Sequence, residues 1–421
     1  MSEVKVKRNE LESLKWMGKA IDEYFAEVRR APEEGKKVCW HIAVPGTLMT
    51  TSQGILTIMH AHVAAYIGAR HLMKEVFEVS EDEGFLSNTC CYMRTFVGLA
   101  MAKVNGVKLP PQIDFPLPDL INCMGECQEQ FTMAELLSHK TGAPAIIIDP
   151  TPSGCVTKED FDERVKYLEK QLKEVAIPMI EKVSGHRYDY AALSEAMAVM
   201  KKCAILRNKC VALQAHRPAP MTLFDLGVGL APFIVLQGKP GTVEFYERFL
   251  AELEDRVAKG IGAVPDEKYR LYWDNYTMWR LLGVVGRELI NHHANIVIGR
   301  YPLAFYPDVE LIDPENPLHS LAECNVSMLK TLYPHWASEM VNDYVEKFDL
   351  DGLLMPASPT CRMFDIGQHD IVDACERKHG VPGLIFEGDM VDIAFFNEAQ
   401  FKTRFEAFLE TIDARKKWRR G

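Results

Sequence analysis

The sequence lacks the segments that mark membrane and exported proteins. It contains no run of the roughly 18–20 apolar residues that a membrane-spanning helix needs. Its start, "MSEVKVKRNELESLKW", is charged and has no apolar core of the kind found in signal peptides. We therefore expect a cytoplasmic protein without membrane contact, in a compartment where structural disulfides are rare.

Several motifs and charge patterns are absent as well. No GxxxxGK[ST] loop is present, so nucleotide is expected to bind a partner and not this chain. The formal net charge is −11, which argues against a nucleic-acid groove. There is no CxxC pair and no Cys/His finger spacing, so structural zinc has little support. The expected partners are small molecules and other proteins.

Short apolar segments alternate with helical patterns in two parts of the chain. The segments typical of buried strands are "KKVCWHIAVPG", "LPDLINC", "APAIIIDPTPSG", "EKYRLYWDNY", "ANIVIGRYP", "LDGLLMPAS" and "VPGLIFEGDMVD". Such alternation predicts an α/β protein with two parallel sheets, each covered by helices on both faces. We divide the chain into an N-terminal helical segment (1–38), a first α/β domain (39–156), a helical connecting segment (157–262) and a second α/β domain (263–421).

Eleven cysteines are the main chemical feature of this chain. Cys90 and Cys91 open a helix after "GFLSNT". Cys123 and Cys127 follow the strand "LPDLIN", and Cys361 follows "DGLLMPASPT". Because ligands of open parallel sheets gather outside the carboxyl ends of the strands, a cleft between the two units would bring these thiols together.

Each cysteine also has a simpler explanation, since free cysteine packs as a small buried hydrophobe. Strand-end position favours chemistry for Cys90, Cys127 and Cys361. Packing is the favoured explanation for the cysteines inside helices and strands, which are Cys39, Cys203, Cys210 and Cys375, and Cys155 stays open between the two. Three or more thiolates without a histidine ligand suit an iron–sulfur cluster better than catalytic zinc.

Four longer stretches carry a family likeness. They are "CCYMRTFVG", "LPDLINCMGECQEQF", "DGLLMPASPTCRM" and "FEGDMVDIAFFNEAQFKTRFEAFLE". The chain resembles the 2-hydroxyacyl-CoA dehydratase and benzoyl-CoA reductase family over most of its length. The resemblance implies two flavodoxin-like domains with a cubane cluster in the cleft between them, held by Cys90, Cys127 and Cys361. It also implies a separate ATP-hydrolysing iron–sulfur protein as electron donor.

Further thiols depart from the family pattern. Cys91 adjoins Cys90, Cys123 lies one helical turn before Cys127, and Cys324 is a further candidate. Six thiols match the double-cubane branch of the family. Resemblance to that branch implies a homodimer that reduces small molecules. We therefore expect an [8Fe-9S] double-cubane reductase. The alternatives are a single [4Fe-4S] cluster in a dehydratase or aryl-CoA reductase subunit with an unlike sister chain, and a non-catalytic electron carrier.

Three other polar residues near strand ends are candidate catalytic groups. His41, Arg94 and Glu126 could each donate a proton or a hydrogen bond. Their alternative explanations are a satisfied buried histidine, a surface ion pair and a solvated acid. Glu387 and Asp389 are expected to fix the last strand-to-helix turn, because carboxylates are stabilised near a helix start.

Overall fold

The strands of the described chain form two separate parallel sheets of the kind expected from the sequence. The computed structural model describes residues 7–43, 46–150, 157–239, 241–304, 307–329 and 333–420, so that Cys155 lies outside the described residues. The strands are β1 (Val38–Ile42), β2 (Leu56–Met59), β3 (Leu120–Met124), β4 (Ala145–Ile148), β5 (Tyr269–Trp273), β6 (Ala294–Gly299), β7 (Gly352–Ala357) and β8 (Gly383–Glu387). The strand orders are β2-β1-β3-β4 and β6-β5-β7-β8. Both halves thus have the same strand order, which is that of a flavodoxin-like sheet. The α/β fold class is thereby confirmed.

Burial along the strands follows their place in each sheet. The central strands β1, β3 and β5 are buried at every position, because helices cover both faces. The edge strand β4 alternates between buried and half-buried residues. All described strand pairs are parallel, so their carboxyl ends meet at one edge of each sheet.

In the described chain, six helices accompany the first sheet. They are α1 (Glu12–Arg30), α2 (Thr47–Thr51), α3 (His60–Ala69), α4 (Met73–Asp82), α5 (Cys91–Val104) and α6 (Gln128–Thr141). One expectation fails here. From about Ser52 to Val79 the sequence pattern is typical of a helix and predicts one, but β2 interrupts that segment and pairs with β1, with Val38 opposite Leu56.

Helices also form the connection between the sheets, as expected from Thr157 onward. They are α7 (Lys158–Gln171), a π-helical turn (Leu172–Ala176), α8 (Ile177–Ser184), α9 (Tyr190–Ala212), α10 (Leu223–Val228), α11 (Ala231–Ile234) and α12 (Gly241–Lys259). The Thr157 hydroxyl accepts a hydrogen bond from the Asp160 N–H at 3.1 Å and thereby caps α7.

Seven helices, counted over the residues that the structure describes, surround the second sheet. They are α13 (Leu282–Asn291), α14 (Arg300–Ala304), α15 (Pro317–Leu329), α16 (Pro334–Lys347), α17 (Arg362–Asp365), α18 (Gln368–His379) and α19 (Glu398–Arg420). Helix α19 lies directly against β7, where a Cβ at Gly352 would come within 2.6 Å of the Phe408 ring and 2.7 Å of the Ile412 side chain. No helix in the described ranges is long and apolar enough to cross a bilayer.

Three histidines at and after β1 and β2 make stability depend on pH. Burial lowers the pKa of His41 to about 4, of His60 to about 3 and of His62 to about 4. An unfolded chain protonates histidine near pH ~6.5. The unfolded state therefore binds more protons between about pH 6.5 and 4, and the free energy of unfolding must fall as the pH is lowered through that window.

We expect a loss of about 1–2 kcal/mol per histidine between about pH 6.5 and 5, measured by urea unfolding at a series of pH values. His62→Gln should reduce this slope, because the half-buried His62 ring packs against Phe25 and glutamine has no proton to take up there. The exposed His335 is a control whose replacement by glutamine should leave the slope unchanged. A stability that stays constant over this window would contradict the expectation.

Candidate functional site

Three cysteines occupy the same local position at the carboxyl edges of the two sheets. Cys90 is the N-cap residue of α5, Cys127 that of α6 and Cys361 that of α17. Cys127 follows β3 and Cys361 follows β7, and these strands have the same place in the two sheets. The sequence therefore directs three thiols from three chain turns toward the space between the sheets.

A cavity lies where these turns meet. Cys90, Cys127 and Cys361 all line it. The remaining wall is largely apolar and aromatic and includes His60, Tyr92, Tyr276 and Met390. The Tyr92 and Tyr276 rings meet edge to face, with centroids 5.2 Å apart, so α5 of the first half contacts the segment after β5 of the second.

The surroundings of these thiols resist negative charge. Burial raises the pKa of Cys90 to about 11, despite the opposing backbone N–H groups of Met93 and Tyr92. Burial, and then the neighbouring Cys90, raises the pKa of Cys127 and of Cys361 above the ordinary range. The three groups can become thiolates together only if a cation compensates them, which is what binding a metal cluster does.

The donor set fits an iron–sulfur cluster better than a single ion. In the part of the chain that the structure describes, no three His, Cys, Asp or Glu side chains lie close enough to bind one metal ion. A cubane differs because each thiolate bonds a different iron, so the thiols stand farther apart. Three thiols line the cavity beside one imidazole (His60) and one carboxylate (Glu129), and a set of donors in which thiols predominate suits iron–sulfur chemistry.

The other three candidate thiols are outside this cavity wall. Cys91 is fully buried behind Cys90, where its backbone N–H donates to the Thr360 hydroxyl at 3.5 Å. Cys123 is fully buried, and its thiol lies 3.6 Å from the Gln130 carbonyl oxygen. Cys324 lines a different cavity, on α15. The structure thus brings together Cys90, Cys127 and Cys361, and it does not bring Cys324 to them.

His41 and Glu126 are buried next to the site without lining its cavity. The His41 Nδ1 lies 2.8 Å from the Ala43 carbonyl oxygen. The Glu126 backbone N–H donates to the Gln130 side chain at 2.6 Å, which shapes the turn between β3 and α6. Catalytic roles for these two residues remain predictions, and the observed contacts are those of positioned structural groups.

Arg94 is a buried link between the two halves. Its guanidinium is fully buried, donates to Asp392 and, at 3.1 Å, to Glu81, and lies 3.8 Å above the Phe77 ring. The alternative that we gave for Arg94 was an ion pair at the surface, whereas this ion pair is internal. These contacts favour a structural role over the catalytic one.

Asp389 organises the last turn before the C-terminal helix. Its carboxylate accepts hydrogen bonds from the Ser358 hydroxyl at 2.8 Å and from the backbone N–H groups of Val391 and Asp392 at 3.0 and 2.9 Å. Glu387 is exposed by contrast. Of the two acids that we expected to fix this turn, only Asp389 makes such contacts in the described chain.

Sequence reasoning missed His60 as a cavity residue. His60 directly follows β2, at the carboxyl edge of the first sheet. The available signal was the four-residue apolar run "LTIM"; recognised as a strand, it would have placed His60 beside the cysteines. Tyr92, in the first turn of α5, and Tyr276, after β5, gave no such signal, because an aromatic residue at either place usually packs in the core.

The chain is similar to known proteins over most of its length. The model of the family "2-hydroxyglutaryl-CoA dehydratase, D-component" matches residues 50–412. The (R)-2-hydroxyisocaproyl-CoA dehydratase alpha subunit of Clostridioides difficile is 27% identical over 95% of this chain and 96% of its own. The alpha subunit of lactoyl-CoA dehydratase from Anaerotignum propionicum is 26% identical, over 92% and 93%. A benzoyl-CoA reductase subunit of Thauera aromatica is 28% identical, over 80% and 79%.

Proposed function

The chain belongs to the family of the 2-hydroxyglutaryl-CoA dehydratase D-component, and from that premise we propose that it is one subunit of an enzyme that dehydrates or reduces a CoA thioester. It would hold one [4Fe-4S] cluster on Cys90, Cys127 and Cys361. The observation that carries this proposal is the shared cavity of these three thiols, with Cys324 in a separate cavity.

The cluster and the chain would divide the chemistry between them. When bound, the cluster supplies single electrons at low potential and an iron with Lewis-acid character. The chain excludes water, because the cavity wall is mostly apolar and aromatic. The edge-to-face contact of Tyr92 with Tyr276 also closes the cavity between the halves of the chain.

His60 has the contacts of a neutral hydrogen-bond donor. Its Nδ1 accepts from the Ala43 backbone N–H at 3.3 Å, which leaves the proton on Nε2. Burial lowers the pKa of His60, so the ring stays uncharged at neutral pH. A neutral imidazole can orient a substrate oxygen through Nε2–H without adding a positive charge beside the cluster.

Tyr92 is a second neutral hydrogen-bond donor in the cavity wall. Its hydroxyl oxygen accepts a hydrogen bond from the Trp279 indole N–H at 2.9 Å, so its own proton can point to another acceptor. Burial raises the pKa of Tyr92 well above the ordinary value, and the hydroxyl therefore remains a donor.

We propose two protein partners. Each of the three relatives described above is named as one subunit of its enzyme, which favours an unlike sister subunit over a homodimer. An electron donor must be a separate protein, and an ATP-hydrolysing iron–sulfur protein fits the lack of a nucleotide loop in this chain.

The double-cubane cluster that we expected from the sequence remains the second candidate. It gains support from Cys91, which directly follows Cys90 and is buried on the same turn. It would also need Cys123 and Cys324 to bind iron, and Cys324 would have to leave the wall of its own cavity. The single cluster requires no such rearrangement.

Iron content separates the two candidates. We expect about four iron and four sulfide per chain after anaerobic purification, as one cubane requires. Cys203→Ser is a matched control, because Cys203 is buried on α9 against Thr242 and should not change the iron content. About eight iron would support the double cubane instead. Near zero iron after reconstitution would contradict both.

Turnover then tests the reaction. With the sister subunit and the reduced donor present, we expect conversion of a 2-hydroxyacyl-CoA to the enoyl-CoA, or reduction of an aryl-CoA. If protein with its full iron content converts neither class of thioester, the proposed activity is wrong. The electron carrier is then the remaining candidate function.

A further inference from the structure

One residue after β1 makes hydrogen bonds with two buried histidines. The His41 Nδ1 lies 2.8 Å from the Ala43 carbonyl oxygen, and the Ala43 backbone N–H donates to the His60 Nδ1 at 3.3 Å. Because β1 and β2 are parallel, with His41 opposite Met59, the turn after β1 lies beside the first residue of α3. Ala43 therefore connects His41, which is outside the cavity wall, with His60, which is part of it.

These two hydrogen bonds give the two rings opposite tautomers. A carbonyl oxygen can only accept, so His41 carries its proton on Nδ1. A backbone N–H can only donate, so His60 accepts at Nδ1 and carries its proton on Nε2. Burial lowers the pKa of both rings, so both are neutral near pH ~7. The peptide groups of Ala43 thus set the position of both protons.

Ala43 has a backbone conformation that alanine ordinarily avoids. Its φ is +81°, in the left-handed region, where the Cβ comes too close to the following carbonyl oxygen. Such a conformation persists only where the surrounding structure holds it, and it is most frequent at functional sites. Ala43 is fully buried, and the hydrogen bond from the His41 ring holds its carbonyl group in place.

We propose that His41 is a positioning residue for His60 and acts through Ala43. The His41 Nδ1–H holds the Ala43 carbonyl, and this bond keeps Ala43 in the left-handed conformation. In that conformation Ala43 directs its N–H at the His60 Nδ1, so the His60 proton stays on Nε2. The action of this proton on a substrate oxygen rests on the proposed function, whereas the hydrogen bonds belong to the chain itself.

A purely structural role for His41 is the competing explanation. His41 lies opposite Asn122 of β3 and Met59 of β2, where its ring fills space in the middle of the first sheet. That role needs a side chain of suitable volume at position 41. The positioning role needs a hydrogen-bond donor at the place of the His41 Nδ1.

The test compares asparagine with leucine at position 41. Asparagine places its Nδ2 donor where histidine has Nδ1, and leucine has nearly the same shape but no donor. Both variants leave the same space unfilled, so their difference isolates the hydrogen bond. The measurements are proton–nitrogen NMR of isotope-labelled histidine, which shows the ring nitrogen that carries the proton, and hydrogen exchange of the Ala43 amide. Both use the anaerobically purified full-length chain without substrate.

We expect His41→Asn to keep the His60 proton on Nε2 and the Ala43 amide protected. His41→Leu should move part of the His60 population to the Nδ1–H tautomer. It should also exchange the Ala43 amide about tenfold faster, as the loss of one hydrogen bond allows. His62→Leu is the control, because His62 lies on the same helix as His60 but packs on Phe25, and it should leave both measurements unchanged.

Glycine at position 43 tests the connecting step. Glycine adopts the left-handed conformation without strain. Ala43→Gly, added to His41→Leu, should therefore restore most of the His60 tautomer and slow the amide exchange again. Packing does not explain such a rescue, because glycine adds no atoms.

Equal behaviour of His41→Asn and His41→Leu would overturn the proposal and leave His41 as a core residue. Failure of Ala43→Gly to rescue His41→Leu would overturn it as well. The rate with a CoA thioester then tests the proposed function separately, and we expect His41→Leu to be about tenfold slower. A changed tautomer with an unchanged rate would support the positioning role of His41 and contradict the role of His60 in the reaction.

Discussion

Cys361→Ser is expected to lose nearly all of the bound iron and all of the turnover. Cys361 is the one thiol of the three that the second half of the chain contributes to the shared cavity. Serine has nearly the same size, but its hydroxyl is a far poorer iron ligand than a thiolate at neutral pH. The measurement is iron per chain, together with the absorbance of the cluster and the rate with a CoA thioester.

Cys375→Ser is the matched control for this experiment. Cys375 is fully buried on α18, in the same half of the chain, and contacts the core and not the cavity. It should keep its iron at some cost in stability. If Cys361→Ser retained four iron and full activity, the assignment of the three thiols would be wrong. Cys91 or Cys123 would then have to take the place of Cys361 as a cluster ligand.

Arg94→Met is expected to lower the free energy of unfolding by about 3 kcal/mol or more. The substitution keeps an unbranched apolar chain over Phe77 but leaves the largely buried Asp392 carboxylate without its cation. Uncompensated buried charge is among the costliest single changes in a protein. Urea unfolding followed by circular dichroism measures the loss.

Arg164→Met provides the comparison. Arg164 pairs with Asp160 one helical turn away on α7 and is partly exposed, so its loss should cost less than about 1 kcal/mol. Iron content and rate per folded molecule decide between the two explanations of Arg94. If the folded fraction of Arg94→Met keeps iron but turns over far more slowly, the catalytic explanation stands and the structural one fails.

The sequence allowed most of the fold to be predicted, because its strands are short, apolar and bounded by turn residues. The strand "LTIM" is the exception. It lies directly before the apolar stretch "HAHVAAYIGA", so the apolar pattern continues without a break and resembles one long helix. Only pairing with β1, a tertiary interaction, makes Leu56–Met59 extended.

Some features of the candidate site could likewise be predicted from the sequence, and others could not. Cys90, Cys127 and Cys361 could be foreseen because the ends of parallel strands converge whatever the details of packing. The partner of Arg94 could not, since Asp392 lies 298 residues further along the chain.

The identical strand order of the two halves has a consequence for symmetry. Cys127 and Cys361 are counterparts, each capping the helix after the third strand of its sheet. Cys90 caps the helix before β3, and its counterpart, the cap of α16 before β7, is Tyr333. A duplicated unit would offer four such cap positions, and in this chain cysteines, the proposed cluster ligands, occupy three of them. The asymmetry between the repeats would thus leave one corner of the cubane without a protein thiolate, and that open corner is where an outside molecule could meet the metal.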